Sequence, residues 1–100
     1  MKLGDITAFV TVARAGGFRE GARLSGGSAS RLSEQVRRLE ARLGVRLFNR
    51  NTRSVALTEA GDGLLKRLSP ALDEMELALD VVNSFRDRPA GNLKLNVPVS

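Results

Sequence analysis

Apolar residues near the N-terminus recur every three or four positions, which is the spacing of one helix face. The first such segment begins near Asp5 and stops at residues 16–17, and the second follows at once and stops at residues 25–27. A third begins after Ser28, a residue type that caps helix N-termini, and stops before Gly44. The pattern predicts three short helices. The residues expected on their inward faces are Ile6, Phe9, Val10, Ala13, Phe18, Ala22, Leu24, Leu32, Val36, Leu39 and Leu43.

The pattern changes between residues 45 and 58, where apolar and polar residues alternate around a polar centre at 49–53. Alternation with a period of two is typical of strands, so this segment predicts a short β-hairpin. Phe48 is expected as a core contact at its base. The alternating apolar residues are Val45, Leu47, Val55 and Leu57.

A long helix is predicted after the hairpin. Thr58 is a suitable N-cap, and Glu59 and Asp62 would lie in the first turn, where the helix dipole favours acids. A helix from there to Arg86 would be about 43 Å long, which is too long for so small a domain to cover. Pro70 predicts a kink, and a break into two separate helices is the alternative.

An apolar stripe with spacings mostly of three and four follows this long helix, and such a stripe predicts a partner helix. The alternative is that the stripe packs on this chain's own core. Beyond the helix, residues 86–92 indicate a hinge, and residues 93–97 alternate as a strand does. The stripe consists of Leu64, Leu65, Leu68, Leu72, Met75, Leu79, Val82 and Phe85. The dimerisation site is assigned to Leu64, Leu68, Leu72, Met75, Leu79 and Val82.

Charge is segregated along the chain. Residues 1–57 carry eleven basic and four acidic side chains, whereas residues 58–88 carry four basic and seven acidic ones. The stretch 18–53 holds nine arginines against three acids, with no lysine and no histidine. The planar guanidinium of arginine can donate paired hydrogen bonds to a phosphate or a guanine, so the basic head, residues 1–57, is expected to bind nucleic acid. The alternative is a solvated arginine-rich surface on an ordinary helical domain.

Other residue types limit the possible functions. Cysteine and histidine are both absent, which removes the thiolate nucleophile, the disulfide, and the commonest general base and metal ligand. We therefore expect no enzyme, no cofactor and no metal site. No apolar run of about twenty residues and no signal-peptide pattern is present, so a soluble cytoplasmic protein without a membrane span is expected.

Three short helices followed by a hairpin are the layout of a winged helix-turn-helix, whose third helix enters the major groove. Arg31 would lie in the first turn of that helix, where the helix dipole disfavours a cation. A nearby phosphate or guanine edge would reverse this penalty; the alternative is that Arg31 simply extends into solvent. Arg50 and Arg53 would lie near the hairpin tip, within reach of the DNA backbone or minor groove. For the other arginines, base contact is one alternative, and backbone contact or plain solubility is an equal one; these arginines are Arg37, Arg38, Arg42 and Arg46.

The order of motifs resembles the N-terminal DNA-binding domain of LysR-type transcriptional regulators. The matching residues are Gly16-Gly17-Phe18, Gly21-Ala22, Ser28 to Ser33, Leu39-Glu40, Leu43-Gly44, Leu47-Phe48, Arg50 and Leu57-Thr58-Glu59-Ala60-Gly61. The resemblance implies that Arg50 and Arg53 belong to the wing, that residues 58–88 form a linker helix pairing two protomers, and that an effector domain begins near Leu93. It also implies recognition-helix positions facing DNA at Ala29, Ser30, Ser33 and Glu34.

The chain also departs from the family pattern. Ser25 and Gly27 stand where many members carry apolar residues around the glycine of the turn, and Arg31 stands where a small apolar residue is common. Glu34 stands where a basic or amide residue is common. Its carboxylate would either accept a hydrogen bond from a cytosine amino group or form an ion pair with Arg31 or Arg38, and we favour the ion pair.

Together these patterns predict a mainly α fold with three parts: a winged helix-turn-helix at 1–58, a dimerisation helix at 59–88, and a hinge with the first strand of an effector domain at 89–100. The expected function is sequence-specific binding of double-stranded DNA by a homodimer at an inverted repeat, with a tetramer left open for the longer protein. A helical oligomerisation module or an RNA-binding module is the alternative. The residues assigned to DNA contact are Ser28, Ala29, Ser30, Arg31, Ser33, Glu34, Arg37, Arg38, Arg50 and Arg53.

Overall fold

The computed structural model describes residues 2–50 and 55–86. The elements are α1 (Leu3–Ala15), α2 (Phe18–Ser25), α3 (Ala29–Leu43), β1 (Phe48–Arg50), β2 (Val55–Leu57) and α4 (Glu59–Arg86). The predicted order of three short helices, a hairpin and a long helix is confirmed. The predictions for Arg53, for the hinge beyond Arg86 and for a strand at 93–97 lie outside the described residues.

Phe48 lies at the centre of the N-terminal core, as predicted. Its ring centroid is 5.3 Å from that of Phe9 and 5.8 Å from that of Phe18, the latter in an edge-on arrangement. Such aromatic pairs contribute about 0.5–1.5 kcal/mol beyond the area that they bury. The buried apolar residues of the core are Ala8, Phe9, Val10, Val12, Leu32, Val36, Leu39, Leu47 and Phe48.

Three residues expected inside are exposed instead. Leu24 is 68% exposed because it lies two positions after Ala22, about 200° further round α2 and hence away from the packed face. Leu43 is 41% exposed at the last residue of α3. Val45 is 46% exposed because strand β1 begins only at Phe48. Residue 45 therefore lies before the strand, and the predicted alternation of inward and outward side chains does not include it.

The helix ends follow the sequence signals. Ser28 caps α3, because its Oγ accepts a hydrogen bond from the backbone N–H of Arg31 at 3.1 Å. Gly44 closes the same helix in the left-handed conformation, with φ of 78°, and its N–H donates to the carbonyl of Glu40 at 2.8 Å. Both ends of α3 are therefore fixed by local chemistry, independently of its packing.

The first turn of α4 lies against the base of the hairpin. The backbone N–H of Thr58 donates to the Leu47 carbonyl at 3.0 Å, and the Thr58 hydroxyl accepts from the Gly61 N–H at 3.0 Å, which confirms Thr58 as the cap. A Cβ at position 61 would lie 2.1 Å from the Leu47 carbonyl oxygen. Gly61 therefore allows the helix and the hairpin to approach more closely than any other residue would.

The helical backbone of α4 continues through Pro70, so the alternative of two separate helices is wrong. The described residues divide into two units at Pro70, the first comprising residues 2–50 and 55–70 and the second residues 71–86. In the first unit the stripe residues Leu64, Leu65 and Leu68 are half-buried. In the second unit Leu72 is half-buried, whereas Met75, Leu79, Val82 and Phe85 are exposed, together with Leu77 and Val81 on other sides of the helix. Among the helices of residues 2–50 and 55–86, none has the length and apolar character that a membrane span requires.

Candidate nucleic-acid interface

The outer surface of α3 carries most of the residues predicted to contact DNA. Ser30, Arg31, Glu34, Arg37 and Arg38 are exposed, and Ala29 and Ser33 are half-buried. The opposite side of the helix is buried in the core through its apolar residues. One surface of α3 thus combines hydroxyls, a carboxylate and arginines that can reach a ligand in solvent.

The first turn of α3 is a region of positive potential. It contains no acidic residue, and Arg31 lies there beside the N–H groups at the positive end of the helix dipole. Within the part of the chain that the structure describes, Arg31 makes no ion pair. The Ser28 Oγ accepts the capping hydrogen bond but keeps its own O–H as a donor, so Ser28, Ser30 and Arg31 are the exposed side chains that can meet an anion at this end.

Glu40 is a buried carboxylate that joins α3 to the wing. Its side chain is 6% exposed, and Oε2 accepts from the backbone N–H of Leu47 at 2.8 Å and of Phe48 at 3.3 Å. Oε1 accepts from both terminal nitrogens of Arg50, at 3.3 and 3.2 Å. Arg46 adds a longer ion pair, with Nε 3.9 Å from Oε2. The start of β1 is therefore attached to the third helix through this one side chain.

Arg50 lies in the wing strand, but its guanidinium is directed inward. It is 23% exposed, pairs with Glu40, and lies over the Phe18 ring at 5.5 Å from the centroid. Among the described residues its Nε has no hydrogen-bond partner. Arg50 is the last residue of β1 and pairs with Val55, so it lies toward the hairpin tip as expected, but its guanidinium faces the Glu40 carboxylate rather than solvent. A DNA contact by Arg50 stays a prediction.

Arg38 is paired across the core boundary with Asp5 of α1. Its Nε donates to Oδ2 at 3.1 Å and its Nη2 donates to Oδ1 at 2.8 Å. These hydrogen bonds hold the pKa of the Asp5 carboxyl below its ordinary value and raise the pKa of Arg38. Within the described ranges neither Arg31 nor Arg38 lies at ion-pair distance from Glu34, so the surface pairing that we favoured is not formed.

Sequence reasoning missed the roles of Glu40 and Asp5, although each carried a signal. Glu40 follows Leu39 and lies four residues after Val36, so it falls on the apolar face of α3, where a charge requires a partner. Asp5 lies four residues before Phe9 on the buried side of α1. A charged residue within an apolar helix face therefore indicates an ion pair with a distant element, but the sequence does not say with which residue.

An open cleft of about 530 Å³ lies between the end of α3 and the wing. Arg37, Arg46 and Arg50 line it together with the Glu40 carboxylate. Three guanidinium groups against one carboxylate leave the cleft positively charged, next to the arginine-bearing surface of α3. The cleft thus extends the positive surface from the third helix toward the hairpin.

Comparisons with known proteins agree on one family. The family model described as "Bacterial regulatory helix-turn-helix protein, lysR family" matches residues 3–62. The HTH-type transcriptional regulator YcaN of Escherichia coli K12 is 49% identical over 96 residues, which are 96% of this chain and 32% of that protein. The chain therefore spans about a third of the length of the curated relatives it matches.

Solved structures show the same likeness. The full-length virulence activator AphB of Vibrio cholerae, described as a member of the LTTR family, is 29% identical with a TM-score of 0.77, over 82% of this chain and 28% of that one. The DNA-binding domain of CbnR, solved in complex with DNA, is 29% identical with a TM-score of 0.73, over 86% of this chain and 99% of that one. The likeness to CbnR thus extends over nearly the whole of a structure determined with DNA.

Proposed function

The chain belongs to the LysR family of bacterial helix-turn-helix regulators, and from this premise we propose that residues 1–58 bind double-stranded DNA sequence-specifically as the head of a cytoplasmic transcriptional regulator. The observation that carries the proposal is the exposed surface of α3, with Arg31 in a first turn that contains no acid. The DNA complex of the CbnR domain supports the same ligand class. The third helix would enter the major groove, as the second helix of a helix-turn-helix pair does.

Individual roles follow from position on α3. The residues that would face base edges are Ala29, Ser30, Ser33 and Glu34, which lie in its first two turns. Arg31 would contact a guanine edge or a phosphate near the helix N-terminus, whereas Arg37 and Arg38 would meet the backbone. Ser28 would contribute through its cap, which orients the first turn. Arg50 and Arg53 are proposed as wing residues. Arg50 would contribute by anchoring β1 and so positioning the wing.

RNA binding is less well supported. Single-stranded RNA is commonly held by exposed aromatic rings on which bases stack. Phe9 and Phe48 are buried in the core, and the ring of Phe18 lies under the Arg50 guanidinium. Phe85 is exposed, but it is a single ring on α4, whereas an RNA-stacking surface commonly presents several. A pure oligomerisation module is also less well supported, since it leaves the arginines of α3 without a role.

Footprinting of the purified fragment on genomic DNA would identify the operator, and the variant Arg31→Ala would then test the proposal. We expect Arg31→Ala to lose about 1–3 kcal/mol of binding free energy on the operator and much less on a scrambled duplex, because a base contact is sequence-dependent. Arg42→Ala is the matched control, since Arg42 is exposed in the last turn of the same helix and should weaken both duplexes equally. Binding would be measured by fluorescence anisotropy.

Two outcomes of this experiment would count against the assignment. Equal losses for Arg31→Ala on both duplexes would make Arg31 a phosphate contact and leave recognition to its neighbours. Absence of any protected sequence in the footprint, with equal affinity for all duplexes, would contradict sequence-specific binding altogether.

We further propose that two protomers pair through the linker helix, residues 59–88, and so present two recognition helices to an inverted repeat. The support is the exposed apolar stripe of the second unit, where Met75, Leu79 and Val82 recur at spacings of four and three. For the whole protein we propose a domain beginning near Leu93 that binds a small-molecule effector, with any tetramer built from this dimer.

Leu79→Glu is expected to weaken the dimer at least about 100-fold, because a carboxylate would enter an apolar seam. Leu77→Glu provides a matched control. Leu77 is 60% exposed against 61% for Leu79, but it lies two residues earlier and hence about 200° round the helix. Sedimentation equilibrium on both variants would measure the dissociation constants. An unchanged dimer for Leu79→Glu would show that the stripe does not form the interface.

A further inference from the structure

Asp5 holds the Arg38 side chain in one orientation on the surface of α3. The carboxylate accepts two hydrogen bonds from the guanidinium, at 3.1 and 2.8 Å, in a bidentate arrangement. The Asp5 side chain is 7% exposed, whereas the Arg38 side chain is 48% exposed. The acid therefore belongs to the fixed interior, and the arginine reaches from it toward solvent.

The pairing leaves part of the guanidinium available. A guanidinium carries five N–H groups, and Asp5 engages only one on Nε and one on Nη2. The three remaining N–H groups are those on Nη1 and the second one on Nη2. One N–H of Nη1 and the remaining one of Nη2 form the terminal edge of the fork, which can bind a phosphate with two parallel hydrogen bonds.

Arg38 also lies on the edge of α3 that would face a wall of the major groove. Arg31 precedes it by seven residues and Arg42 follows it by four, so all three lie along one side of the helix. An α-helix with its side chains is about 10–12 Å wide and the major groove is about 12 Å wide, so the two edges of an inserted helix meet the phosphates. Beyond the first two turns of the helix, where Arg38 lies, an arginine on this edge would bind backbone, whereas Arg31 in the first turn can also reach a base edge.

We propose that Asp5 is a positioning residue for DNA binding: it fixes the Arg38 guanidinium with its terminal edge outward, as a pre-oriented contact for one backbone phosphate. The proposal rests on the proposed function, since it deepens the account of how α3 binds DNA. A flexible arginine loses side-chain freedom on binding, at a cost of about 0.5–1.5 kcal/mol. Arg38 has already lost that freedom in the free protein.

The competing interpretation is that Asp5 merely neutralises Arg38. The two interpretations predict opposite signs for Asp5→Asn. If Asp5 only cancels a positive charge, its removal strengthens DNA binding, because a negative charge leaves the surface. If Asp5 positions Arg38, its removal weakens binding in spite of the gain in net positive charge.

The test measures duplex affinity at several salt concentrations for the wild type, Asp5→Asn, Arg38→Ala and the double variant. We expect Asp5→Asn to lower affinity about 2- to 10-fold for each protomer bound, with a nearly unchanged salt slope, because the Arg38 charge remains. Arg38→Ala should reduce the slope by about 0.9 for each protomer bound, and so by about 1.8 for the dimer, because each protomer loses one phosphate contact. In the double variant Asp5→Asn should cost nothing further, since it acts through Arg38.

Arg42→Ala is the control for coupling. Among the described residues Arg42 makes no ion pair, so its loss should add to that of Asp5→Asn. A merely structural role for Asp5 would lower the melting temperature but give additive binding losses with Arg38→Ala as well. Higher affinity for Asp5→Asn, or additivity with Arg38→Ala, would overturn the proposal.

Arg38→Lys keeps the proposal testable if Asp5→Asn fails to fold. Lysine retains the charge but has no fork to bridge Asp5 and a phosphate, so we expect the same loss as for Asp5→Asn at an unchanged slope. Full affinity for Arg38→Lys would overturn the proposal. Failure of the proposed function is distinguishable, because then the wild type itself would show no salt-dependent DNA binding.

Discussion

The affinity of this chain for double-stranded DNA is expected to fall about 10³- to 10⁵-fold between 50 and 200 mM salt, if a dimer neutralises about 6–10 phosphates. The reason is counterion release: each arginine that binds a phosphate frees a condensed cation, and added salt opposes that release. The N-terminal part of the chain is suited to binding phosphates in this way, because residues 1–57 carry eleven basic side chains against four acidic ones. A titration followed by fluorescence anisotropy would give the slope.

The operator and a scrambled duplex should give nearly parallel lines in this titration. Phosphate contacts contribute to binding of any sequence, whereas base contacts shift the operator line to higher affinity without changing its slope much. Binding that stays nearly flat in salt would contradict the proposed use of the arginine surface. It would also remove the basis for assigning Arg37 and Arg38 to the backbone.

The second large effect concerns the stability of the head. Glu40→Ala is expected to lower the free energy of unfolding by about 2–4 kcal/mol, because it leaves two buried N–H groups and the Arg50 guanidinium without their acceptor. For a domain of this size the melting temperature should fall by roughly 10–25 °C. Thermal denaturation followed by circular dichroism would measure the change.

Glu20→Ala is the matched control for Glu40→Ala. Glu20 also pairs with an arginine, Arg23, three residues later in α2, but the Arg23 side chain is largely exposed and that of Glu20 is about half exposed. Exposed pairs of this kind contribute about 0.2–0.5 kcal/mol, so this variant should melt close to the wild type. Equal melting of the two variants would show that Glu40 does not hold the wing. Glu40→Gln should fall between them, since its amide oxygen can replace Oε2 as the acceptor for both backbone N–H groups, whereas its NH₂ group cannot accept from Arg50.

The elements of this fold could be predicted because their signals are local. Ser28 as a cap, Gly44 as a stop and Thr58 as the start of α4 each act on neighbouring backbone, and the structure confirms all three. The spacing of Leu32, Val36 and Leu39 likewise defines the buried face of α3 without knowledge of its partners.

The polar contacts between elements could not be predicted in the same way. Arg38 lies 33 residues from Asp5, and Arg50 lies ten residues from Glu40 across the end of a helix. Which arginine meets which acid depends on the packing of α1, α3 and the hairpin in three dimensions. The sequence therefore identified an arginine-rich surface but not how it divides into paired and outward-facing groups. The exposure of Leu24 has a related cause, since hydrophobicity alone does not define which side of a short helix is covered.

The contact at Gly61 sets the rotation of α4 about its own axis. Only a residue without Cβ can face the Leu47 carbonyl, and of the two glycines in α4 only Gly61 stands there, since a Cβ at Gly63 would meet open space. Because successive residues of a helix are rotated by about 100°, the position of Gly61 also determines the directions in which Leu64, Leu65 and Leu68 point. Inserting a single residue between Thr58 and Gly61 would therefore either drive a Cβ into the hairpin or turn the start of the apolar stripe by more than a quarter of a revolution. Gly61 therefore fixes the rotational position of the helix. Even a one-residue insertion at this point is expected to misdirect the apolar stripe, although it adds little to the length of the chain.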